Sequence, residues 1–395
     1  MTVENKDPEM TESNTTGSTN NIHDGTETTA SIRYVFFTNT PAHVHIYKNA
    51  INSLAETKHD VLVMGRDYGC TKALLEYYDL PYQLYGKCGT AKSSLARELP
   101  RHFYNILRKT RRYDPDLIFG MGAYSAFAGA VTRTPVVAIL DSEPTSFDHA
   151  VSKPFTNVFL TPHAFQKDLG QKHYRFRGFK ETAYLHPEVY ENNTDTIKQQ
   201  LQVGDEPYII LRFNAFGSHH DVSHGGFTQS QKERLINELS QYGSVFVSNE
   251  GDDIEYEAVH GRRFDLHPAM MHDALANADL LVADTQTMVT EAALLGTPAI
   301  RANSFVGDGD MGNFLDLEAN GLIYNLETFD DVLEQAVAIL EDPAIQSKWR
   351  TRRDEYLSDK VNLTEIILDI TTGFASSKSV DIEQLIRDHP YLTQE

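Results

Sequence analysis

From Ile32 onward, short apolar runs alternate with longer stretches in which apolar residues recur every three or four positions. The first pattern predicts buried strands, and the second predicts helices packed on them. Strands are expected at IRYVFFT (32–38), DVLVMGRD (60–67), PYQLYG (81–86), DLIFGMG (116–122), PVVAILD (135–141) and TNVFLTP (156–162). Residues 46–58, 70–79, 91–112 and 123–134 read as the helices between them, with a break or kink at Pro100. A polar stretch with Gly and Pro at 176–193 interrupts this alternation, which then restarts. Strands follow at 207–213, 244–250 and near 262–266, and helices at 228–242, 268–277 and 324–342. Strands separated by helices predict parallel sheets with ligand sites at the carboxyl ends of the strands. The restart predicts two α/β halves of the same kind facing one cleft.

Residues 1–30 carry mostly Thr, Asn, Glu, Gly and Ser and almost no large apolar side chains. Such a segment cannot bury enough surface to become ordered. The expected organisation is therefore a disordered tail (1–30), an N-terminal Rossmann-like domain (31–185), a C-terminal Rossmann-like domain (186–375) and a C-terminal helix (376–395). Charge changes the picture in two ways. With 35 Lys and Arg against 56 Asp and Glu, the net charge is −21, which argues against general nucleic-acid binding. Spread along the chain, that excess suits concentrated salt and suggests a halophilic source. Against this background, residues 87–112 carry Lys87, Lys92, Arg97, Arg101, Arg108, Lys109, Arg111 and Arg112 but a single acid, Glu98. Leu95, Leu99, Phe103, Ile106 and Leu107 lie between them at helical spacing, so peripheral membrane contact or the grip of a phosphate-bearing acceptor is open to this segment. Apolar runs such as Val136–Leu140 are too short to span a bilayer, and no signal-peptide pattern is read at the N-terminus. A cytoplasmic protein, peripheral at most, is expected. Cys70 and Cys88 give neither a disulfide framework nor a zinc site, and no metal or cofactor is expected.

Candidate chemistry collects at the predicted strand ends. Residues 280–301 read LLVADTQTMVTEAALLGTPAIR: a strand ending at Asp284, a polar turn (Thr285, Gln286, Thr287), and a helix carrying Glu291 that stops at Gly296. A helix N-terminus after such a strand presents backbone N–H groups to an anion. Arg212 and Asn214 end the strand at 207–213, where a guanidinium suits phosphate oxygens. The histidine-rich loop after it (214–227) reads as a mobile cleft loop rather than a metal site. In the first half, Asn39 is followed by His43 and His45. Either histidine is a candidate general base, and in extended backbone both would share one side. Gly120 and Gly122 allow close approach of a ligand, and Asp141 and Glu143 can bind hydroxyls or move a proton. Asn39, Gly120, Gly122, Arg101 and Arg108 are candidates for the acceptor or its phosphate.

The blocks TNTPAHVHIYKNAI (38–51), VLVMGRD (61–67), YGK (85–87), KETAYLHP (180–187) and EAALLGTPAI (291–300) resemble the mainly archaeal domain-of-unknown-function family 354, over about residues 32–345. More distantly, the Asp-turn-Glu-helix-LGTP pattern is similar to non-hydrolysing UDP-N-acetylglucosamine 2-epimerases and to the lipid-intermediate N-acetylglucosaminyltransferase of peptidoglycan synthesis. The resemblance implies a GT-B fold and a glycosyltransferase acting from a nucleoside diphosphate sugar on a cell-surface glycan or lipid-linked acceptor. It implies that Glu291 holds the ribose hydroxyls, that 284–287 cradles the diphosphate, and that His43 or His45 occupies the acceptor side. The turn here is Thr-Gln-Thr where relatives are commonly glycine-rich. A nucleotide-sugar 2-epimerase and a non-catalytic nucleotide-sugar-binding protein are the alternative readings.

Overall fold

The computed structural model describes residues 31–88, 92–214, 226–249, 251, 253–302, 310–376 and 381–394. The tail 1–30 and most of the loop 214–227 lie outside the described residues. In the first half, β1 (Arg33–Thr38), β2 (Asp60–Asp67), β3 (Tyr82–Lys87), β4 (Leu117–Gly120), β5 (Val136–Ile139), β6 (Val158–Pro162) and β7 (His173–Phe176) are parallel, in the spatial order β7-β6-β5-β4-β1-β2-β3. In the second, β8 (Tyr208–Phe213), β9 (Ser244–Asn249), β10 (Arg262–Arg263), β11 (Leu280–Ala283), β12 (Ala299–Arg301) and β13 (Tyr324–Asn325) form a parallel sheet ordered β10-β9-β8-β11-β12-β13. Both are doubly wound sheets, the two Rossmann-like domains of the GT-B arrangement. In β1 every residue after Arg33 is buried, as a strand covered by helices on both faces requires. Phe36 stacks on Phe119 (ring centroids 5.1 Å apart), locking β1 to β4 at the centre of the sheet.

Strand order reverses between β1 and β4 and again between β8 and β11, and each reversal opens a crevice beyond the strand ends. A hydrogen bond bridges each crevice. Asn39 Nδ2 donates to the Met121 carbonyl (3.1 Å), and the Asn214 N–H donates to Asp284 Oδ1 (2.7 Å). The halves share one apolar core, which runs from Phe36 and Tyr47 through Tyr184 and Leu185 to Leu275, Val289 and Leu294. The chain finally returns to the first half. Helix Leu363–Ser376 packs on helices Pro41–Ala55 and Thr182–Leu185, with Tyr34 Oη donating to the Thr371 carbonyl and Thr364 Oγ1 to that of Ala183. The short strand β14 (Leu392–Thr393) then pairs antiparallel with β7.

Several element boundaries differ from the sequence reading. The first helix starts at Pro41 rather than residue 46, because proline at the first helical position has its φ preset and needs no N–H partner. Helix Lys92–Tyr113 continues through Pro100. The last helix of the second sheet starts at Phe329, where the Thr328 side chain accepts from the Asp331 N–H, and Tyr324–Asn325 before it pairs as a strand. No helix among the described residues is long and apolar enough to cross a membrane.

Candidate active site

The carboxyl ends of β1 and β5 supply the first half's share of the site. The Asn39 N–H donates to His43 Nδ1 (3.1 Å), its carbonyl accepts from Arg66 Nε (2.9 Å), and its Oδ1 accepts from Tyr85 Oη (2.9 Å). With Nδ1 accepting, the His43 proton sits on Nε2, so the ring offers a donor rather than a base. Burial, helped by the charges of Lys180 and Arg66, pushes its pKa down to about 3 and keeps it neutral. His45 lies in a different environment. Positions two apart on a helix do not face each other, so the early start at Pro41 separates the histidines that extended backbone would have aligned. The His45 ring packs edge-on against His272 (4.5 Å) and beside Tyr184 (5.4 Å), and burial and His272 push its pKa well down.

Past the end of β5, Asp141 receives the Lys180 ammonium, which also faces Glu181 Oε1 at 3.7 Å. Burial opposes the charge on Lys180, yet Asp141 and Glu181 raise its pKa and hold it protonated. Burial pushes the Glu181 carboxyl up to about 7 despite the neighbouring ammonium. Glu143, two residues beyond Asp141, has a structural contact instead. Its Oε1 accepts from the N–H groups of Gln166 (3.3 Å) and Gly312 (3.2 Å), pinning the two halves together. Gly312 comes so close to the Ala164 carbonyl that a Cβ would lie 1.8 Å from the oxygen.

The glycine turn after β4 is filled by the protein itself. A Cβ on Gly120 would lie 2.4 Å from Ser125 Cβ, and Gly122 has φ +68° with the Asp148 carboxylate against it. Asp148 Oδ1 accepts from the Ala123 N–H (3.0 Å), so a carboxylate of the chain already occupies this helix start. Arg101 and Arg108 are exposed on helix Lys92–Tyr113. That helix runs back from the cleft edge, and the Tyr113 carbonyl at its end accepts from Arg33 Nη1 at the start of β1. Arg108 therefore lies toward the opposite edge of the sheet from Asn39 and Asp141.

In the second half, Arg212 Nη1 donates to Ser248 Oγ (2.8 Å). The buried Asp284 accepts from the N–H groups of Asn214 (2.7 Å) and Phe227 (3.3 Å), clamping both ends of the loop between β8 and the next helix. Thr285 carries a buried hydroxyl with no partner among the described residues. Gln286 is the N-cap of helix Thr287–Leu295 and makes no side-chain cap, so the first N–H groups after it keep their positive end. In the second turn of that helix, Glu291 Oε1 accepts from Tyr184 Oη of the first half (2.8 Å) and from His272 Nε2 of the second (3.0 Å). A carboxylate accepts about four hydrogen bonds, so capacity remains for a ligand hydroxyl.

Asp141 pairs with Lys180, whose charge also acts on His43, while Glu291 and His45 meet through His272 and Tyr184. Sequence reasoning assigned no role to Lys180, Glu181, Tyr184, His272 or Arg66. Lys180, Glu181 and Tyr184 fall in the polar stretch read as an interdomain break. The aromatic and aliphatic residues of TAYL (182–185) were the available sign that this stretch is buried.

Asp284 also makes a pH prediction. Burial first, partly offset by its N–H donors, raises its pKa from 3.8 to about 6. In that window the folded state binds more protons than the unfolded state, so stability from this group is present below about pH 4 and is lost as pH rises through 6. The difference in unfolding free energy between the wild type and Asp284→Asn is expected to fall by on the order of 3 kcal/mol from pH 4 to 7. His43 acts with the opposite sign but is common to both proteins. Urea titrations across this range measure the difference; a constant difference would refute the assignment.

A family model described as "Protein of unknown function (DUF354)" matches residues 33–371. No curated protein sequence matches the chain. Similar solved structures include the UDP-GlcNAc 2-epimerase of Neisseria meningitidis bound to UDP-GlcNAc (12% identity, TM-score 0.58, covering 87% of this chain and 100% of that one). The spinosyn forosaminyltransferase SpnP is similar at 12% identity and TM-score 0.60, over 88% of this chain and 100% of that one. HepE of Anabaena, solved with UDP-glucose, is similar at 14% identity and TM-score 0.54, over 88% and 100%. At these identities the likeness establishes the shared fold.

Proposed function

We propose, from the premise that the chain belongs to the DUF354 family, that it is an enzyme acting on a nucleoside diphosphate sugar. The favoured reaction is glycosyl transfer to a glycan or lipid-linked acceptor. The observation that carries this reading is Glu291, held in the second turn of helix Thr287–Leu295 by Tyr184 of the first half and His272 of the second, behind an uncapped helix start. The second half contributes the uncapped start of helix Thr287–Leu295, Arg212 and Glu291, and the first half contributes Asp141, Lys180 and His43. In this reading the helix start and Arg212 hold the diphosphate, and Glu291 accepts from the ribose hydroxyls. Negative charge grows on the diphosphate as the glycosidic bond to the donor breaks, which is where fixed donors lower the barrier most. Asp141 takes the acceptor hydroxyl proton, a role His43 does not fill with Nδ1 already accepting from Asn39. His43 Nε2 instead donates to a substrate oxygen. Asn39 and the Thr285–Thr287 turn line the approach to the two reacting partners.

Epimerisation at the sugar is the second reading, and one observation favours it. Asp141 and Glu181 flank one ammonium, and burial raises the pKa of Glu181, so two carboxyl groups share one site. Incubating UDP-, GDP- and dTDP-sugars with the protein, with and without membrane lipid extract, separates the readings by mass spectrometry and NMR. Transfer or nucleotide release that depends on the extract supports the transferase. A new sugar epimer formed without an acceptor sinks the transferase in favour of the epimerase. Turnover of no donor under either condition counts against both.

A further inference from the structure

Helix Lys92–Tyr113 is a cationic feature in a chain of net charge −21. Its apolar side is already used. Ile106 is fully buried, and Leu99 and Phe103 pack on the same core, Phe103 against Phe127 at 4.7 Å. What remains outside is a row at helical spacing: Arg97, Arg101, Tyr104, Arg108 and Arg111, with Arg112 beside it, all exposed. The row extends about 21 Å at 1.5 Å per residue. Arg101 faces Glu98 at 3.9 Å, and Arg97, Arg108, Arg111 and Arg112 form no ion pair among the described residues. Like charges aligned this way raise the local potential and favour an extended anionic partner. At the carboxyl end of the row, Arg108, Lys109 and Arg112 join Gln83 and Tyr113 around a recess of about 300 Å³, large enough for a phosphate group.

We propose that this face rests on the headgroups of an anionic lipid bilayer, with the recess at Arg108, Lys109 and Arg112 taking one headgroup phosphate. Tyr104, 63% exposed at the middle of the row, suits that surface, because a ring with a polar tip sits well at headgroup depth. With its apolar side committed to the core, the helix binds by charge and not by insertion. The inference goes beyond the catalytic reading and does not rest on it, since lipid binding is read without substrate.

Co-sedimentation of the full chain with vesicles of phosphatidylglycerol and phosphatidylcholine, against phosphatidylcholine alone, tests it. The wild type is expected to bind only the anionic vesicles and to leave them as salt rises. Arg101→Gln/Arg108→Gln/Arg111→Gln is expected to lower partitioning about 100-fold, with an unchanged unfolding midpoint because all three side chains are exposed. The proposal is overturned if the wild type stays in solution, binds neutral vesicles equally, or is matched by the triple variant. It is also overturned if the row instead holds a second copy, seen as a dimer without lipid that the triple variant disperses.

Discussion

Lys180→Met is expected to lower the unfolding free energy by about 3–5 kcal/mol and to reduce nucleotide-sugar turnover by at least about a hundredfold. The side chain is 11% exposed and is paired with Asp141 and Glu181, both in low-dielectric surroundings. Removing the ammonium leaves two neighbouring carboxylates with no counter-charge, and isolated buried charge is among the largest mutational costs known. Turnover falls for a related reason. Unpaired, Asp141 and Glu181 raise each other's proton affinity and lose the geometry that a proton acceptor needs. Lys180→Met/Asp141→Asn restores part of the stability, because one orphan charge has gone, but none of the activity. Urea unfolding and donor turnover on the single and double variants measure both effects. A loss of stability under about 1 kcal/mol would show that the pair is solvated and carries little energy.

Arg301→Met is the second large effect, again about 3–5 kcal/mol of stability. Arg301 is fully buried at the end of β12. Its Nη1 and Nη2 grip Asp310, Nη1 also reaches Asn325 Oδ1 (3.2 Å), and the guanidinium lies 3.8 Å from the centre of the Phe314 ring. Asp310 is equally buried and accepts from its neighbour's N–H at Met311 (2.8 Å). Taking away the arginine strands that carboxylate. Arg301→Met/Asp310→Leu removes both charges, and such a replacement is expected to recover most of the loss. Thermal or urea unfolding of the three proteins decides it. A double variant as unstable as the single would mean that Phe314 stacking, not charge pairing, dominates.

The two sheets were legible in the chain because buried parallel strands such as VFF (35–37) and LLVA (280–283) are continuously apolar, and because the pattern restarts after residue 193. Strand ends were legible for the same reason, which put Asn39, Asp141, Arg212 and Asp284 at or just past the carboxyl ends of their strands. What each side chain does there was not. His43 and His45 differ in role because a proline starts the helix early. Asp284 clamps a loop because the β8–β11 crevice brings Asn214 and Phe227 to it. The first is local to Pro41 and was readable in the chain; the second depends on neighbours 57 and 70 residues away. Tyr184 and His272 were hidden because they meet partners across the contact between halves, and Lys180 because its partner Asp141 lies 39 residues away; no local spacing encodes either contact. Conversely, the cations of residues 97–112 were visible at once, but only the packing of Leu99, Phe103 and Ile106 shows which side of the helix is free.

Calorimetric titration of UDP, GDP and dTDP into the wild type and Glu291→Gln tests the claim that Glu291 helps to hold a nucleoside diphosphate. One of the three nucleotides is expected to bind the wild type, and the variant to bind it roughly 10- to 100-fold more weakly, as loss of hydrogen bonds to a charged acceptor predicts. Glutamine keeps the size of the side chain and an oxygen for Tyr184 and His272, so the variant tests the charge rather than the fold. Absence of binding by all three nucleotides, or equal affinity in wild type and variant, would contradict the claim.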